Sequence, residues 1–278
     1  MNKKMAFTLV EGPRRTGNFA ANFGKTPRIL RSAGFTLAEV LITLGVVGVV
    51  AAMTIPSLVS NYQKKIWTTQ LQKSYATIQQ GFKRMLADDN TTALSQTETF
   101  LSLGQNGYCS RAHTIDSDSC SNFYVNLRKY FKVADIRKLT STDNYKYTEL
   151  DGNNSFNYTD TVIIFIDGTM IMSYNFFNVP RSDNGGMMNG SLGDIVIDIN
   201  GIKKPNKFGR DIFAFSIGDT GGVYPVGSKA FSVTEMGGDD YLAYWKTTDD
   251  PVFKCQNDGQ SLGYGCAARV LEEGKMNY

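Results

Sequence analysis

Three hydrophobic patterns follow one another along the chain, and each predicts a different element. From Val40 to Gln63 there are 24 residues without a charge, and 14 of the 20 between Val40 and Val59 are Val, Leu, Ile, Ala or Met. A bilayer core takes about 20 apolar residues in a helix. The run is therefore long enough to span one, and it lacks the polar face of a buried core helix. In Ile66–Asp89 the pattern changes: Trp67, Leu71, Tyr75, Ile78, Phe82 and Met85 recur at spacings of three and four, with Lys, Gln and Thr between them. This spacing predicts an amphipathic helix with one apolar stripe, read as a core face rather than a cofactor box. A helix from Phe35 to about Asp88 would be on the order of 80 Å long at ~1.5 Å per residue, half of it for the membrane and half the spine of a head.

Asn90 to Asn122 is polar and turn-rich, and a short helix is predicted near Asn122–Lys138. After Asp151 the period shortens to that of strands: Val162–Ile166, Thr169–Tyr174 after the turn Asp167-Gly168, Asp194–Ile199, Ile212–Ile217 and Gly222–Val226. β-branched runs punctuated by Asp-Gly, Asn-Gly or Gly-Gly favour hairpins in an antiparallel sheet. The expected fold class is α+β, with a long N-terminal transmembrane-plus-amphipathic helix packed on an antiparallel β-sheet head. The expected parts are a leader over 1–34, a membrane helix over 35–60 and a head over 61–278.

Composition fits a folded chain, with 42% hydrophobic residues and only seven prolines in 278. Charge changes the picture more. Residues 1–34 carry seven basic groups and one acid, Glu11, whereas the remaining residues carry 22 basic and 25 acidic groups. The net +3 therefore averages a basic leader with a slightly acidic body. Basic residues before the apolar run place the leader in the cytoplasm and residues beyond about Asn61 on the far side, as a single-pass inner-membrane protein. Arg128, Lys129 and Lys132 read as a solvated helix face, so nucleic acid is not an expected partner.

The junction between leader and apolar run separates three devices. A secretory signal peptide would have a shorter apolar core, and Ala51-Ala52 is a weak cleavage site; Glu39, a carboxylate in the first turn, also argues against it. A lipoprotein signal needs a cysteine at the end of its apolar run, but the first here is Cys109. The run begins Gly34-Phe35-Thr36-Leu37-Ala38-Glu39-Val40-Leu41-Ile42. This stretch resembles the N-terminal cleavage and methylation motif of the type IV prepilins and type II secretion pseudopilins. The match covers roughly Gly34 to Lys65. It implies cleavage between Gly34 and Phe35 by a prepilin peptidase, which also methylates the new N-terminal Phe35. It implies that Glu39, fifth in the mature chain, attracts the charged N-terminus of a neighbouring subunit during filament assembly. An ionisable group at the edge of a lipid-facing helix usually marks function; the plainer reading is a carboxylate capping a helix N-terminus. Pro56 falls where the family often weakens its helix, and it removes a backbone donor. The 34-residue leader is longer than the common form, and its partial echo of the motif, Ala6-Phe7-Thr8-Leu9-Val10-Glu11, is followed by no apolar helix.

Cys109/Cys120 and Cys255/Cys266 share one spacing. Four cysteines allow three pairings; the local one is expected because each pair lies within one polar loop. Zinc is the competing reading, but the spacing is too long for CxxC knuckles and the head lies on the oxidising side. Oxygen donors gather at Asp194, Asp198, Asn200 and Asp211, a candidate calcium set, since calcium favours oxygens on flexible loops, although the spacing is not that of an EF-hand and two lysines lie in the loop. A hairpin turn with capping side chains is the alternative, and no cofactor is otherwise expected. The stretch from Asp198 to Phe215 also resembles a segment of large prepilin-like proteins. His113 is the sole histidine and stands in no nucleophile motif, so an enzyme is not expected. The resemblance implies a structural subunit of a pilus or secretion pseudopilus, with other subunits, the peptidase, an inner-membrane assembly platform and the membrane as partners. A membrane-anchored extracytoplasmic binding protein or enzyme is the other reading.

Overall fold

A computed structural model describes residues 34–104, 107–113, 118–181, 190–229, 232–234 and 240–278. The leader before Gly34 lies outside them. The chain divides into two compact units, residues 1–52 and 53–278. In the first, the described part is residues 34–36 followed by helix. Helix α1 runs over Leu37–Asp88 and contains Pro56. All residues from Gly34 to Tyr62 except Ala51 are exposed.

The second unit is an α+β head. After α1 come the short helix α2 (Glu98–Leu101), strand β1 (Tyr108–Ser110), helix α3 (Asp118–Tyr130), and strands β2 (Val133–Lys138), β3 (Lys146–Thr148) and β4 (Ser155–Asn157). Strands β5 (Thr161–Phe165), β6 (Met170–Arg181), β7 (Ser191–Asp198), β8 (Ile212–Gly218) and β9 (Val223–Pro225) follow. The small hairpin of β10 (Ser232–Thr234) and β11 (Asp240–Leu242) precedes α4 (Cys266–Glu273). The main sheet has seven strands in the order β2-β5-β6-β7-β8-β9, and β1 pairs with the distal half of β6. Its pairings are antiparallel.

Both faces of this sheet are buried, which is why β7 and β8 read as continuous apolar runs rather than as alternation. Ile195, Ile197, Phe213, Phe215 and Ile217 join the core under α1, where Leu71, Ile78, Phe82 and Met85 are buried. Their neighbours Val196, Ile212 and Ala214 join a second core with Tyr145, Tyr158, Met170, Met172, Phe208 and Phe253. On β6 a register shift between Ile171 and Ser173 changes the parity. Ile171, Tyr174 and Phe176 can therefore all face the first core although their spacing is odd, as a bulge permits.

The apolar stripe of α1 seats on the sheet through polar contacts as well. Ser74 and Thr169 share a buried hydrogen bond of 3.0 Å, and Tyr75 donates to the Val223 carbonyl at 3.2 Å. Gly81 is the point of closest approach: a Cβ there would lie 2.2 Å from the Phe131 ring.

Two expectations need correction. The helix expected over Asn122–Lys138 ends at Tyr130, and Val133–Lys138 is instead the edge strand β2. The cysteine segments are not simple polar loops: Cys109 lies on β1, Cys120 on α3, and Cys266 opens α4.

Candidate functional site

The first turn of α1 is built by a reciprocal cap. Thr36 precedes the helix, and Glu39 stands three residues on, the spacing of a capping box. The Thr36 amide donates to Glu39 Oε2 at 2.8 Å, the Thr36 hydroxyl donates to the same oxygen at 2.8 Å, and the Glu39 amide donates back to Thr36 Oγ1 at 3.2 Å. Glu39 is thus folded back over the helix N-terminus while its surroundings remain open. Phe35 is 86% exposed, and the apolar side chains that follow, Leu37, Leu41 and Ile42, are exposed too.

An unburied apolar helix needs lipid or another protein against it, because water solvates neither its side chains nor its packing. One helix among the described residues is long and apolar enough to cross a membrane, and none of its apolar window is buried in the chain. Its few hydroxyls turn inward. Thr43 donates to the Val40 carbonyl and Ser57 to the Thr54 carbonyl, both at 3.0 Å, which satisfies polar groups that lipid cannot. Pro56 lies within the helix and has no N–H for the Ala52 carbonyl, the residue at which the first compact unit ends.

In the head, both disulfides close within the local pairs. Cys109–Cys120 joins β1 to α3 with Cα atoms 5.2 Å apart, and Cys255–Cys266 joins the preceding loop to the first residue of α4 at 4.9 Å. All four sulfurs belong to fully buried residues. The Arg269 guanidinium donates to the Cys255 carbonyl at 2.6 Å, fastening the second loop from the helix side.

Of the four oxygen-bearing residues that suggested calcium, three come together. Asp198 accepts from the Tyr145 hydroxyl at 2.7 Å and the Asn200 amide at 3.1 Å. Asp211 accepts from the Asn206 and Lys207 amides at 2.9 and 2.7 Å and from Asn200 Nδ2 at 3.2 Å. Asp194 stands four residues before Asp198 on β7, ~13 Å along a strand at ~3.3 Å per residue, and is bonded to the Ser216 hydroxyl on β8. It is not part of the group. The carboxylates are occupied by N–H and O–H donors, the arrangement of a turn fastened by its own side chains. Burial raises Asp198 well above the ordinary carboxylate value, and neighbouring Asp211 raises it further. Burial also pushes Asp211 up to about 6, against the donors that hold its ionised form. Among the described residues no three His, Cys, Asp or Glu side chains converge as a metal group.

His113 Nδ1 accepts from the Ser110 amide at 3.3 Å and, as an acceptor, takes the Ser110 hydroxyl at 3.0 Å. Ser110 is buried beside Cys109, and the nearby Asp160 is paired with Arg111 at 3.5 Å. The pair closes a tight turn after β1.

Sequence reasoning missed a basic groove at the foot of the head. Lys64, Lys65 and Lys275 line it, and they are too far apart in the chain for any motif to register.

The fold and these groups define a class: a membrane-length helix that continues into a disulfide-bonded α+β head. Residues 57–272 match a family described as a family of unknown function (DUF6613), and the chain belongs to that family. The matched region starts inside α1 and covers nearly all of the head. No curated protein and no solved structure matches the chain.

Proposed function

We propose that the chain is a prepilin-like structural subunit, cleaved between Gly34 and Phe35, held in the cytoplasmic membrane by α1 and then assembled into a type IV pilus or a secretion pseudopilus. The observation that carries this reading is the run from Gly34 to Ile42 opening directly into an apolar helix that no other described residue covers. A covered helix would be satisfied as a monomer. This one has to exchange lipid for copies of itself or other subunits if it is to leave the bilayer.

Glu39 then has two successive roles. In the separate subunit its charge is held by Thr36 and the helix N-terminus, which eases the placing of a carboxylate near lipid. In a filament the amino group freed at Phe35 of an incoming subunit supplies the opposite charge and sets the register. Pro56 gives α1 a weak point between its membrane half and the half carried by the head. The two disulfides tie β1 to α3 and the segment around Cys255 to α4, bonds that persist on the oxidising side of the membrane. The partners in this reading are other subunits, the peptidase and the inner-membrane assembly platform.

Fibres sheared from cells provide the test. The mature chain is expected as a fibre component in cells with an intact prepilin peptidase and absent from fibres without it. Recovery of the chain only as a membrane protein, with other subunits present in the fibres, would contradict the reading.

A further inference from the structure

Where the apolar run of α1 ends, a groove of about 430 Å³ opens between α1 and the segment after α4. Lys64, Lys65 and Gln72 form its wall on α1, and Lys275 and Asn277 form the other. Three ammonium groups line it, and no Asp or Glu side chain among the described residues does. The nearest acid on the α4 side, Glu273, is engaged by Arg269 at 3.3 Å and by Asn277 Nδ2 at 3.5 Å. Lys64 donates to the Tyr278 main-chain oxygen at 3.1 Å, and Arg210 donates to the same oxygen at 2.9 Å, which adds a fourth positive group behind the groove. Lys65 and Lys275 are exposed, and their ammonium groups make no hydrogen bond or ion pair among the described residues.

The height of the groove identifies its occupant. Lys64 is five residues beyond Val59, the last residue of the apolar run, or ~7.5 Å along a helix at ~1.5 Å per residue. The headgroup layer on each side of a bilayer's hydrocarbon core is roughly 5–7 Å thick, so Lys64 stands at its outer edge, and a lysine's long stem lets the ammonium group reach phosphate. Tyr62, 65% exposed, stands just below them, at the depth where amphipathic rings collect. Leu58 and Val59, exposed on the preceding turn, would lie beside acyl chains.

We propose that this groove binds the phosphate of an anionic phospholipid in the leaflet where the apolar run ends. Lys65 and Lys275 are the contacts made only with the lipid, and Lys64 is shared with Tyr278. The inference rests on α1 spanning the membrane, and the experiment separates the two. Full-length protein is reconstituted into phosphatidylcholine vesicles with and without phosphatidylglycerol, and flotation is scored first. Lipid retained on the protein is then counted by native mass spectrometry. The wild type is expected to float with both vesicles and to retain phosphatidylglycerol in preference to phosphatidylcholine. Lys65→Gln with Lys275→Gln should cut that preference about thirtyfold, from roughly the known contribution of a lysine near an anionic surface. Lys65→Arg with Lys275→Arg should keep it, and thermal midpoints should be unchanged in both. Equal retention of the two lipids, or a preference that survives the Gln variant, would overturn the proposal while leaving the membrane reading intact. Displacement of the lipid by excess inorganic phosphate would reassign the groove to soluble phosphate and also overturn it. Failure to float would refute the membrane reading and this inference together.

Discussion

Asp194 offers a quantitative test of the head's packing. It lies on β7 with 6% exposure, and the Ser216 hydroxyl is the partner that favours its ionised form. Burial dominates and pushes its carboxyl from 3.8 up to about 7. A carboxyl raised in the folded state keeps its proton there while the unfolded chain has already released it. Stability from this group is therefore fully present below about pH 4, falls as pH rises, and is lost above about pH 7. Between pH 5 and pH 8 the loss is on the order of 2–3 kcal/mol for a value of about 7. Asp211, pushed up to about 6, and its neighbour Asp198 act in the same direction over the same interval. Asp258 does not interfere: Lys254 and two backbone amides hold it at about 2, so its contribution is present throughout this interval and is lost only in stronger acid. The variant Asp194→Asn keeps the shape and an acceptor for Ser216 without a charge to bury. Urea unfolding of full-length protein in detergent, followed by tyrosine fluorescence at pH 5 and pH 8, measures the slope. The wild type should be less stable at pH 8 by a few kcal/mol, and the variant should lose about 2–3 kcal/mol less across the interval. A wild type as stable at pH 8 as at pH 5, or a variant with the wild-type slope, would refute the reasoning.

Further outcomes follow from individual contacts. Glu39→Gln can still complete the cap with Thr36 but carries no charge, so it should insert and fold normally yet enter filaments poorly, like Glu39→Ala. Filament yields at wild-type level with Gln and a failure with Ala alone would assign Glu39 to capping. Gly81→Ala places a methyl against the Phe131 ring and should destabilise the head by about 1–3 kcal/mol, read as a lower unfolding midpoint; Phe131→Leu in the same chain should recover part of it. Replacing Cys109 and Cys120 by Ala opens a closed loop that joins β1 to α3 and should cost roughly 3 kcal/mol, checked by denaturant midpoints under oxidising conditions.

Local signals made half of the architecture readable. The apolar run and the α1 stripe follow from spacing alone, and the β5–β9 strands follow from β-branched runs set off by turn residues. What was missed depends on contacts between distant segments. In β2 only Ile136 is buried, and its partners are β5 residues some 30 positions on, so Val133–Lys138 looks like a continuing helix. Helix α4 hides behind Cys266, whose bond to Cys255 suggested a loop. The carboxylates at Asp198 and Asp211 are claimed by amides of Asn200, Asn206 and Lys207, and only the fold brings those donors within reach. For the candidate site, the Thr36–Glu39 cap was visible as a capping carboxylate, whereas Lys275 reaches Lys64 and Lys65 through the tertiary structure alone.

The central claim is that the mature protein begins at a processed Phe35, just ahead of α1. Intact-mass and N-terminal analysis of the chain extracted from membranes of its own cells tests it most directly. A single mature species starting at N-methylated Phe35 is the predicted result. An uncut chain in cells with active prepilin peptidase, or a start near Met53 as a signal peptidase would leave, would contradict the account.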